Sequence, residues 1–231
     1  MIVKAENISK RYFRTTGSAN YFFAVKPVSL ELREGELAVL TGRSGSGKTT
    51  LLNILSGLLP PTEGKVWLRD NNLYAMKDAA LSRLRGEMIA VVPQGRSVID
   101  TLTVMENIAL PAKLYGRKFS PENALRWMDM LGIGALKDAM PKELSGGELR
   151  RAAIVRALAQ EPQILFADEP TGDLDDENTR LVLSAFRAFA HQERKAVFVV
   201  THESDALSYA DQIYKMDAGQ LIGLSEQKEK E

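Results

Sequence analysis

The sequence predicts an α/β fold with a mainly parallel sheet at its core. Compact apolar runs lie at residues 37–40, 88–92, 164–167 and 196–200. These runs are nearly continuous rather than alternating, which predicts strands that are buried on both faces. Segments of helical character separate them, as a parallel sheet covered by helices requires. The 231 residues suffice for one large domain, or for one domain with a lobe.

Further strands are predicted outside this core. Residues 2–13 and 27–35 have strand character, and residues 66–69 are a short third candidate. The turn between the first two strands is predicted at Gly17, Ser18 and Asn20. Near the C-terminus, a turn at 217–219 joins the apolar segments 213–216 and 220–222 and predicts a closing hairpin. The final SEQKEKE is charged, and we expect a disordered tail at 226–231.

Helices are predicted in two parts of the chain. Residues 48–55 have helical character, and Gly57 with two prolines at 60–61 ends that helix. The stretch from 100 to 143 is helix-rich, with helices predicted at 103–110 and 121–131. We interpret this stretch as a helical lobe inserted into the sheet domain. Ordinary crossover helices are the alternative, and composition does not separate the two.

Composition excludes several classes of protein. Thirty basic and thirty acidic side chains give a net charge of zero, which argues against a nucleic-acid partner. The sequence has no cysteine, so disulfides and thiolate metal sites are excluded. The start MIVKAENISK lacks the apolar region of a signal peptide, and the apolar runs fall short of the roughly 20 residues of a spanning helix. We therefore expect a soluble cytoplasmic protein that can still dock on a membrane protein.

Residues 42–50, GRSGSGKTT, match the phosphate-binding pattern GxxxxGK(S/T) between an apolar strand and a helix. The glycines let consecutive backbone N–H groups turn toward an anion, and the positive end of the following helix adds to the field. We expect Lys48 to reach the β- and γ-phosphates and Thr49 to offer its hydroxyl to Mg²⁺. The predicted residues of this phosphate loop are Gly42, Arg43, Ser44, Gly45, Ser46, Gly47, Lys48, Thr49 and Thr50. The motif alone does not separate kinases, GTPases and ATPases.

Two acidic residues follow the apolar run at 164–167, at the kind of strand end where an α/β sheet binds its ligand. Asp168 is predicted to hold Mg²⁺ through its water shell, because Mg²⁺ keeps several waters. The side chain of Glu169 leaves the backbone in a different direction, and we expect it to orient and deprotonate the attacking water. Phosphoryl transfer needs positioning and charge neutralisation, which this division of two carboxylates supplies.

Two other polar residues end core strands in the same way. His202 follows the run at 196–200, where an imidazole can bind a γ-phosphate oxygen or help to hold the water. Gln94 follows the run at 88–92, and its amide can touch Mg²⁺ or the water. The predicted catalytic residues are Lys48, Gln94, Glu169 and His202, and the predicted metal-binding residues are Thr49, Gln94 and Asp168.

A second start of a helix can bind an anion. In LSGGELRRAAIVRAL, Ser145, Gly146 and Gly147 precede a strong helix and expose N–H groups and a hydroxyl. A serine N-cap is the commoner use of this chemistry. Because the chain already has one phosphate cradle, a second makes most sense if it completes a different site.

In this order, the motifs resemble those of the nucleotide-binding subunits of ATP-binding cassette (ABC) transporters. The resemblance spans residues 2–224 and includes the phosphate loop, Gln94, LSGGE at 144–148, ILFADEP at 164–170, TGDLD at 171–175 and His202. It implies one P-loop NTPase domain with the ABC ATPase fold. In that fold, residues 1–99 and 144–225 form a RecA-like core with an N-terminal antiparallel β subdomain, and residues 100–143 form an inserted helical subdomain.

In that family two subunits pack head to tail, and each ATP lies between one subunit's phosphate loop and the other's LSGGE-type segment. The resemblance thus implies ATP and Mg²⁺ as cofactors and a second copy of the chain as a partner. It implies that residues 145–147 contact the γ-phosphate bound by the partner chain, and that Asp175 reaches across the same interface. Tyr12 matches the position whose ring stacks on adenine, with Phe13 and Phe22 as local rivals.

ENIALP at 106–111, with LSGGE and ADEPTGDLD, is similar to the lipoprotein-releasing, macrolide-efflux and antimicrobial-peptide-export ATPases. Asp173 stands where that subgroup usually has Asn, and residues 95–97 replace bulky apolar side chains. The resemblance implies an ATPase that drives a separate integral membrane permease from the cytoplasmic face, through the helical subdomain and the Gln94 loop. The alternative is a regulatory or mechanical ATPase of the cell-division type, which acts through a membrane partner without transport.

Overall fold

The structure, a computed structural model, describes residues 1–13 and 21–226. Its strands are β1 (Val3–Phe13), β2 (Tyr21–Leu32), β3 (Leu37–Thr41), β4 (Glu63–Leu68), β5 (Asn71–Asn72), β6 (Ile89–Val92), β7 (Ile164–Asp168), β8 (Ala196–Thr201), β9 (Gln212–Asp217) and β10 (Gln220–Glu226). Its α-helices are α1 (Lys48–Leu55), α2 (Asp78–Met88), α3 (Val104–Leu114), α4 (Pro121–Met130), α5 (Gly146–Leu158) and α6 (Asp176–His191). Short 3₁₀ helices lie at Leu73–Ala75, Gly134–Leu136, Pro141–Glu143 and Asp205–Tyr209.

The larger of the two sheets in the described residues has the strand order β10-β9-β3-β8-β7-β6. From β9 to β6 all neighbours are parallel, and β10 pairs antiparallel with β9. The mainly parallel core and the closing hairpin are therefore confirmed. The carboxyl ends of β3, β8, β7 and β6 lie side by side, so the loops that follow them converge on one edge of the sheet.

Both faces of this sheet are buried, as the continuous apolar runs predicted. In β3, Leu37 and Val39 pack with helices α3 to α6, whereas Ala38 and Leu40 pack with α1 and the smaller sheet. Adjacent side chains of a strand point to opposite faces, so a strand that lies between two apolar layers must be apolar throughout.

The smaller sheet is antiparallel, in the order β2-β1-β4-β5. The prediction at 27–35 was wrong in its bounds, because β2 starts at Tyr21 opposite Phe13 and ends before the turn at Gly35, where φ is +81°. The strand predicted at 66–69 starts earlier, at Glu63, and ends before Arg69, which has a φ of 50°. The predicted turn residues Gly17, Ser18 and Asn20 lie outside the described residues.

Helix α1 has the predicted bounds, α4 ends at Met130, one residue before the predicted end, and two other helices differ more from the prediction. Helix α2 was not predicted, and Met88 is its last residue, so β6 starts one residue later than expected. Helix α3 runs through Pro111 to Leu114 instead of ending at residue 110. The proline carbonyl accepts a hydrogen bond from the backbone N–H of Tyr115 at 3.1 Å, so the helix continues past the ring.

Helices α3 and α4 of the predicted lobe pack against α5 and share its apolar cluster, to which Val104, Trp127 and Ile154 belong. The lobe boundaries at 100 and 143 stay a prediction. Strand β10 includes Glu226, which corrects the start of the predicted tail, and residues 227–231 lie outside the described part. None of the helices described is long and apolar enough to cross a membrane.

Candidate nucleotide site

A cleft of about 1360 Å³ opens at the carboxyl ends of the parallel strands. This is the edge at which α/β sheets bind ligands, because loops and helix N-termini converge there. Most of the predicted site residues line the cleft: Tyr12, Gly42, Arg43, Ser44, Gly45, Gly47, Lys48, Thr49, Thr50, Gln94, Glu169 and His202. Residues that are far apart in sequence therefore meet in one place.

The backbone of the phosphate loop is enclosed by neighbouring main chain. A Cβ atom on Gly42 would lie 2.2 Å from the carbonyl oxygen of Met216 in β9. A Cβ on Gly47 would lie 2.1 Å from the carbonyl oxygen of Ala24 in β2, and Gly47 has a φ of +104°. Both contacts are closer than any side chain allows, so only glycine fits these two positions. The predicted residue Ser46 is buried beneath the loop and is not part of the cleft lining.

Lys48 places a positive charge inside this loop. Its side chain is 7% exposed, and its Nζ donates hydrogen bonds to the carbonyls of Gly42 at 2.8 Å and Arg43 at 3.1 Å. Helix α1 begins at Lys48, and no side chain caps its N-terminus. The first backbone N–H groups of the helix are therefore available to another acceptor. An anion such as a phosphate is the acceptor that suits both the N–H groups and the ammonium.

Asp168 ends β7 and is buried, with 3% of its surface exposed. Burial raises the pKa of its carboxyl group, against the opposing effects of a hydrogen bond from Thr49 and the charge of Lys48. One carboxylate oxygen, Oδ1, is buried without a hydrogen-bond partner. A buried acceptor without a partner requires an explanation, and a hard cation beside a hydroxyl and a carboxylate supplies one.

These oxygen donors fit Mg²⁺. Within the described ranges, no three His, Cys, Asp or Glu side chains are grouped closely enough to hold a metal by themselves. Mg²⁺ commonly binds one or two protein oxygens and takes its other ligands from phosphates and water. Thr49 and Asp168 therefore suffice as protein ligands for a magnesium–nucleotide complex.

Glu169 has an unusual backbone conformation and lies close to Lys48 and His202. Its φ of 47° is rare for a residue other than glycine, and its backbone N–H donates to the carbonyl of Val200 at 2.8 Å. Its Oε2 lies 2.9 Å from Nδ1 of His202, and its Oε1 lies 3.9 Å from Nζ of Lys48. A carboxylate held in this way, in a cleft that a phosphate can enter, is placed to act as a general base on water.

Two of the predicted aromatic residues share the cleft. Tyr12 and Phe22 are cross-strand neighbours with ring centroids 5.9 Å apart, and both line the cleft. Phe13 is 88% exposed and is not among the lining residues. Phe13 therefore does not line the cleft, and the stacking of adenine on Tyr12, with Phe22 as its rival, stays a prediction.

The LSGGE segment, residues 144–148, lies outside this cleft. Ser145 caps α5 by accepting from the N–H of Glu148, and Glu148 accepts from Ser145 in return. Gly146 is exposed, and a Cβ placed on it would meet no atom within 4 Å. Asp175 likewise caps α6, accepting from the N–H of Asn178 at 2.8 Å. The structure does not bring residues 145–147 and Asp175 to the chain's own phosphate loop.

The motifs did not indicate one residue of the site, Arg150. It is buried on α5 and lines the cleft, and its guanidinium contacts the main chain on both sides of the site. An arginine on a helix is usually solvent-exposed, so the sequence carried no signal that would have distinguished it.

The site combines a phosphate loop and its buried lysine with a buried acid and a carboxylate paired with histidine, all at one edge of a parallel sheet. Together these features define a phosphate-loop nucleotide hydrolase. The ABC transporter family matches residues 25–172. The chain belongs to this family, as an ATP-binding subunit and an ATPase.

Relatives along the whole chain agree with this assignment. The lipoprotein-releasing system ATP-binding protein LolD of Bdellovibrio bacteriovorus is 36% identical, over 94% of this chain and 99% of its own length. The bacitracin export ATP-binding protein BceA of Halalkalibacterium halodurans is 34% identical, over 95% of this chain and 87% of its own. The dimeric structure of the ATP-binding cassette MJ0796 bound to ADP and Pi is 32% identical, with a TM-score of 0.89 over 99% of this chain and 100% of that one.

Proposed function

We propose that this chain binds ATP with Mg²⁺, pairs head to tail with a second copy of itself around two ATP molecules, and drives a separate integral membrane permease. The proposal is carried by one observation. The phosphate loop and Glu169 line the cleft, while Ser145 and Gly146 of the LSGGE segment are exposed outside it. A second copy can bring its own LSGGE segment over the open side of the cleft. The cassette MJ0796, which is similar in structure, is dimeric.

The residues of the cleft have separate roles in hydrolysis. Lys48 and the N–H groups of the phosphate loop bind the β- and γ-phosphates. Thr49, Asp168 and Gln94 hold Mg²⁺, which neutralises negative charge on the phosphates. Glu169 accepts the proton of the attacking water, and His202 orients the carboxylate through the 2.9 Å contact. In the dimer, residues 145–147 and Asp175 of the other copy contact the same nucleotide.

The membrane partner is proposed from the relatives. The names of two relatives, LolD and BceA, refer to lipoprotein release and to bacitracin export. We infer a permease that extracts or exports a lipoprotein, a drug or a peptide, with this subunit peripheral on the cytoplasmic face where ATP is found. The helical segment at 100–143 and the loop after Gln94 are the proposed contact surface.

Substitution Glu169→Gln tests the catalytic part of the proposal. Removing a general base should lower turnover by about 10²–10⁴-fold while ATP still binds. An ATP-bound dimer should then accumulate, which size-exclusion chromatography with light scattering detects. The wild-type chain in the same buffer is the control. Unchanged turnover would remove Glu169 from its role, and a monomer with bound ATP would remove the composite site.

Copurification from membranes tests the permease. The chain should carry an integral membrane protein with it, and ATPase activity of that complex should rise when a lipoprotein, drug or peptide substrate is added. A stable membrane complex whose ATPase activity responds to no transported substrate would favour the regulatory alternative of the cell-division type.

A further inference from the structure

Arg150, in the second turn of α5, donates to five backbone carbonyls and lies between two segments of the site. Its Nη2 lies 2.8 Å from the carbonyl oxygens of both Asp168 and Glu169, and its Nε lies 3.1 Å from that of Pro170. Its Nη1 lies 2.6 Å from the carbonyl oxygen of Pro93 and 3.3 Å from that of Gly95. One planar group therefore joins the end of β7 to the loop that follows β6.

This arrangement differs from an ordinary ion pair. Only 8% of the Arg150 surface is exposed, and each of its three nitrogens donates to main-chain oxygen. Burying a charged group is costly unless its donors are satisfied, and here they are satisfied by two separate loops. The rigid fork of a guanidinium fixes several acceptors at once, which a flexible ammonium does not.

The five acceptors lie at or next to two predicted catalytic residues, Gln94 and Glu169, which are remote from each other in sequence. Pro93 and Gly95 lie on either side of Gln94, and the other three carbonyls begin at Asp168 and include that of Glu169 itself. Glu169 holds a left-handed φ of 47°, a conformation that persists only where surrounding structure enforces it. The Arg150 guanidinium bonds the carbonyl of this strained residue directly.

We propose that Arg150 is a positioning residue for ATP hydrolysis, which clamps the main chain at Asp168–Pro170 to the main chain at Pro93–Gly95 and so fixes Glu169 relative to Gln94. The inference rests on the proposed role of Glu169. In this role Arg150 does not bind the phosphates itself, because its N–H groups already donate to carbonyls.

Burial and the nearby acidic groups have opposite effects on the pKa of Arg150. Burial lowers the pKa of Arg150, and the charges of Asp173, Asp168 and Glu169 act in the opposite direction. Asp173 lines the same cleft as Arg150. The guanidinium therefore keeps its full set of donors at any pH at which the protein is folded.

Substitution Arg150→Gln tests the clamp in the full-length chain. Misplacing Glu169 should lower kcat for ATP by about 100-fold, while the affinity for ATP falls much less, because the phosphate loop that binds the phosphates is untouched. Steady-state ATPase kinetics and nucleotide titration separate the two effects. Equal loss of affinity and kcat, or unchanged kcat, would overturn the proposal.

Arg156→Gln is the matched control. Arg156 lies on the same helix and donates to the carbonyl and hydroxyl of Ser97, but it contacts neither Asp168 nor Glu169. Its loss should leave kcat of the isolated chain near the wild-type value. If the two variants lose kcat and thermal stability to the same extent, Arg150 has only a structural role.

Arg150→Lys is the fallback variant should the Gln variant not fold, because it keeps the positive charge but not the fork of donors. A wild-type kcat in the Lys variant would also overturn the clamp.

A double variant separates this inference from the proposed function. If Arg150 acts through Glu169, adding Arg150→Gln to Glu169→Gln should cause no further loss in single-turnover hydrolysis. A further loss of about 100-fold, as in the single variant, would overturn the inference while leaving the role of Glu169 intact. Unchanged turnover in Glu169→Gln alone would instead refute the proposed function.

Discussion

The phosphate loop at 42–50 and the LSGGE segment at 144–148 both place glycines before a helix, but their surroundings are opposite. The first is walled by main chain, so that a Cβ on Gly42 or Gly47 would collide with a carbonyl oxygen within 2.2 Å. The second is open, and a Cβ on Gly146 would meet nothing within 4 Å. The fold thus requires glycine at Gly42 and Gly47 of the first loop, whereas it leaves room for a side chain at Gly146 of the second.

The helix starts differ in the same way. Helix α1 begins without a side-chain cap, whereas α5 begins with the reciprocal bonds between Ser145 and Glu148. The phosphate loop is therefore a site that the chain builds and leaves for a ligand. In the LSGGE segment the helix start is already capped, and the exposed Gly146 has open space around it that a group from outside the chain can enter. Under the proposed function, that group is the γ-phosphate of the ATP that the partner holds.

Lys48→Ala has the largest expected effect on this comparison. It removes the buried cation of the phosphate loop, and a charge-assisted hydrogen bond of about 1.5–3 kcal/mol corresponds to a roughly 10- to 100-fold loss of ATP affinity. Isothermal titration with a slowly hydrolysed ATP analogue measures this loss. Normal affinity would mean that this loop is no cradle for phosphate.

A mixture of two inactive variants tests whether the open segment serves the partner. A Ser145→Arg chain keeps its phosphate loop, and a Lys48→Ala chain keeps its LSGGE segment, so each mixed dimer has one intact composite site. Random pairing makes about half the dimers mixed, so roughly a quarter of the wild-type sites should be active. Each variant alone is the control. No recovery in a mixture shown to form mixed dimers would contradict the shared site.

The glycines themselves give a direct contrast in stability. Gly47→Ala forces a strained φ and a collision, which should cost roughly 1–3 kcal/mol and lower Tm by about 4–10 °C. Gly146→Ala should leave Tm nearly unchanged, since the space around it is open, but should weaken the ATP-dependent dimer. Thermal melting and light scattering on both variants provide the comparison. An equal fall in Tm would show that the LSGGE segment is enclosed after all.

The smallest effect is expected at the cap of α5. Hydrogen bonds from the Ser145 hydroxyl and N–H lower the pKa of Glu148. A lowered carboxyl pKa adds stability above its ordinary value and loses it as the pH falls through the folded-state value. Glu148→Ala should therefore lower Tm by about 2–4 °C at pH 7, and the difference should narrow below about pH 4. Melting curves over this pH range would contradict the cap if the difference stayed constant.

Local pattern predicted much of the fold. The strands at 37–40, 164–167 and 196–200 were identified because burial on both faces requires continuous apolar residues, and α1 followed from the glycines and prolines around it. Helix α2 was missed because its apolar stripe is weak. Charged residues of both signs interrupt the helical period of its apolar residues. The start of β2 was missed because pairing with β1, rather than its own composition, sets where it begins.

The candidate site was predictable for a similar reason. Lys48, Asp168, Glu169 and His202 each follow an apolar run, so the strand pattern alone predicts that they lie at one edge of the sheet. Arg150 was not predictable, because its role depends on carbonyls from loops that lie 57 and 18 residues away. Every residue has a backbone carbonyl, so the sequence does not show which carbonyls act as acceptors.

The amino-acid sequence by itself determined the class of fold, the phosphate-loop motif and the strand ends at which the predicted catalytic residues lie, because periodicity and short motifs are local properties of a chain. Tertiary structure alone decided that Gly42 and Gly47 are enclosed, that Gly146 is open, and that one guanidinium joins two loops of the site. Those properties depend on distances between segments remote in sequence, and packing is what sets such distances.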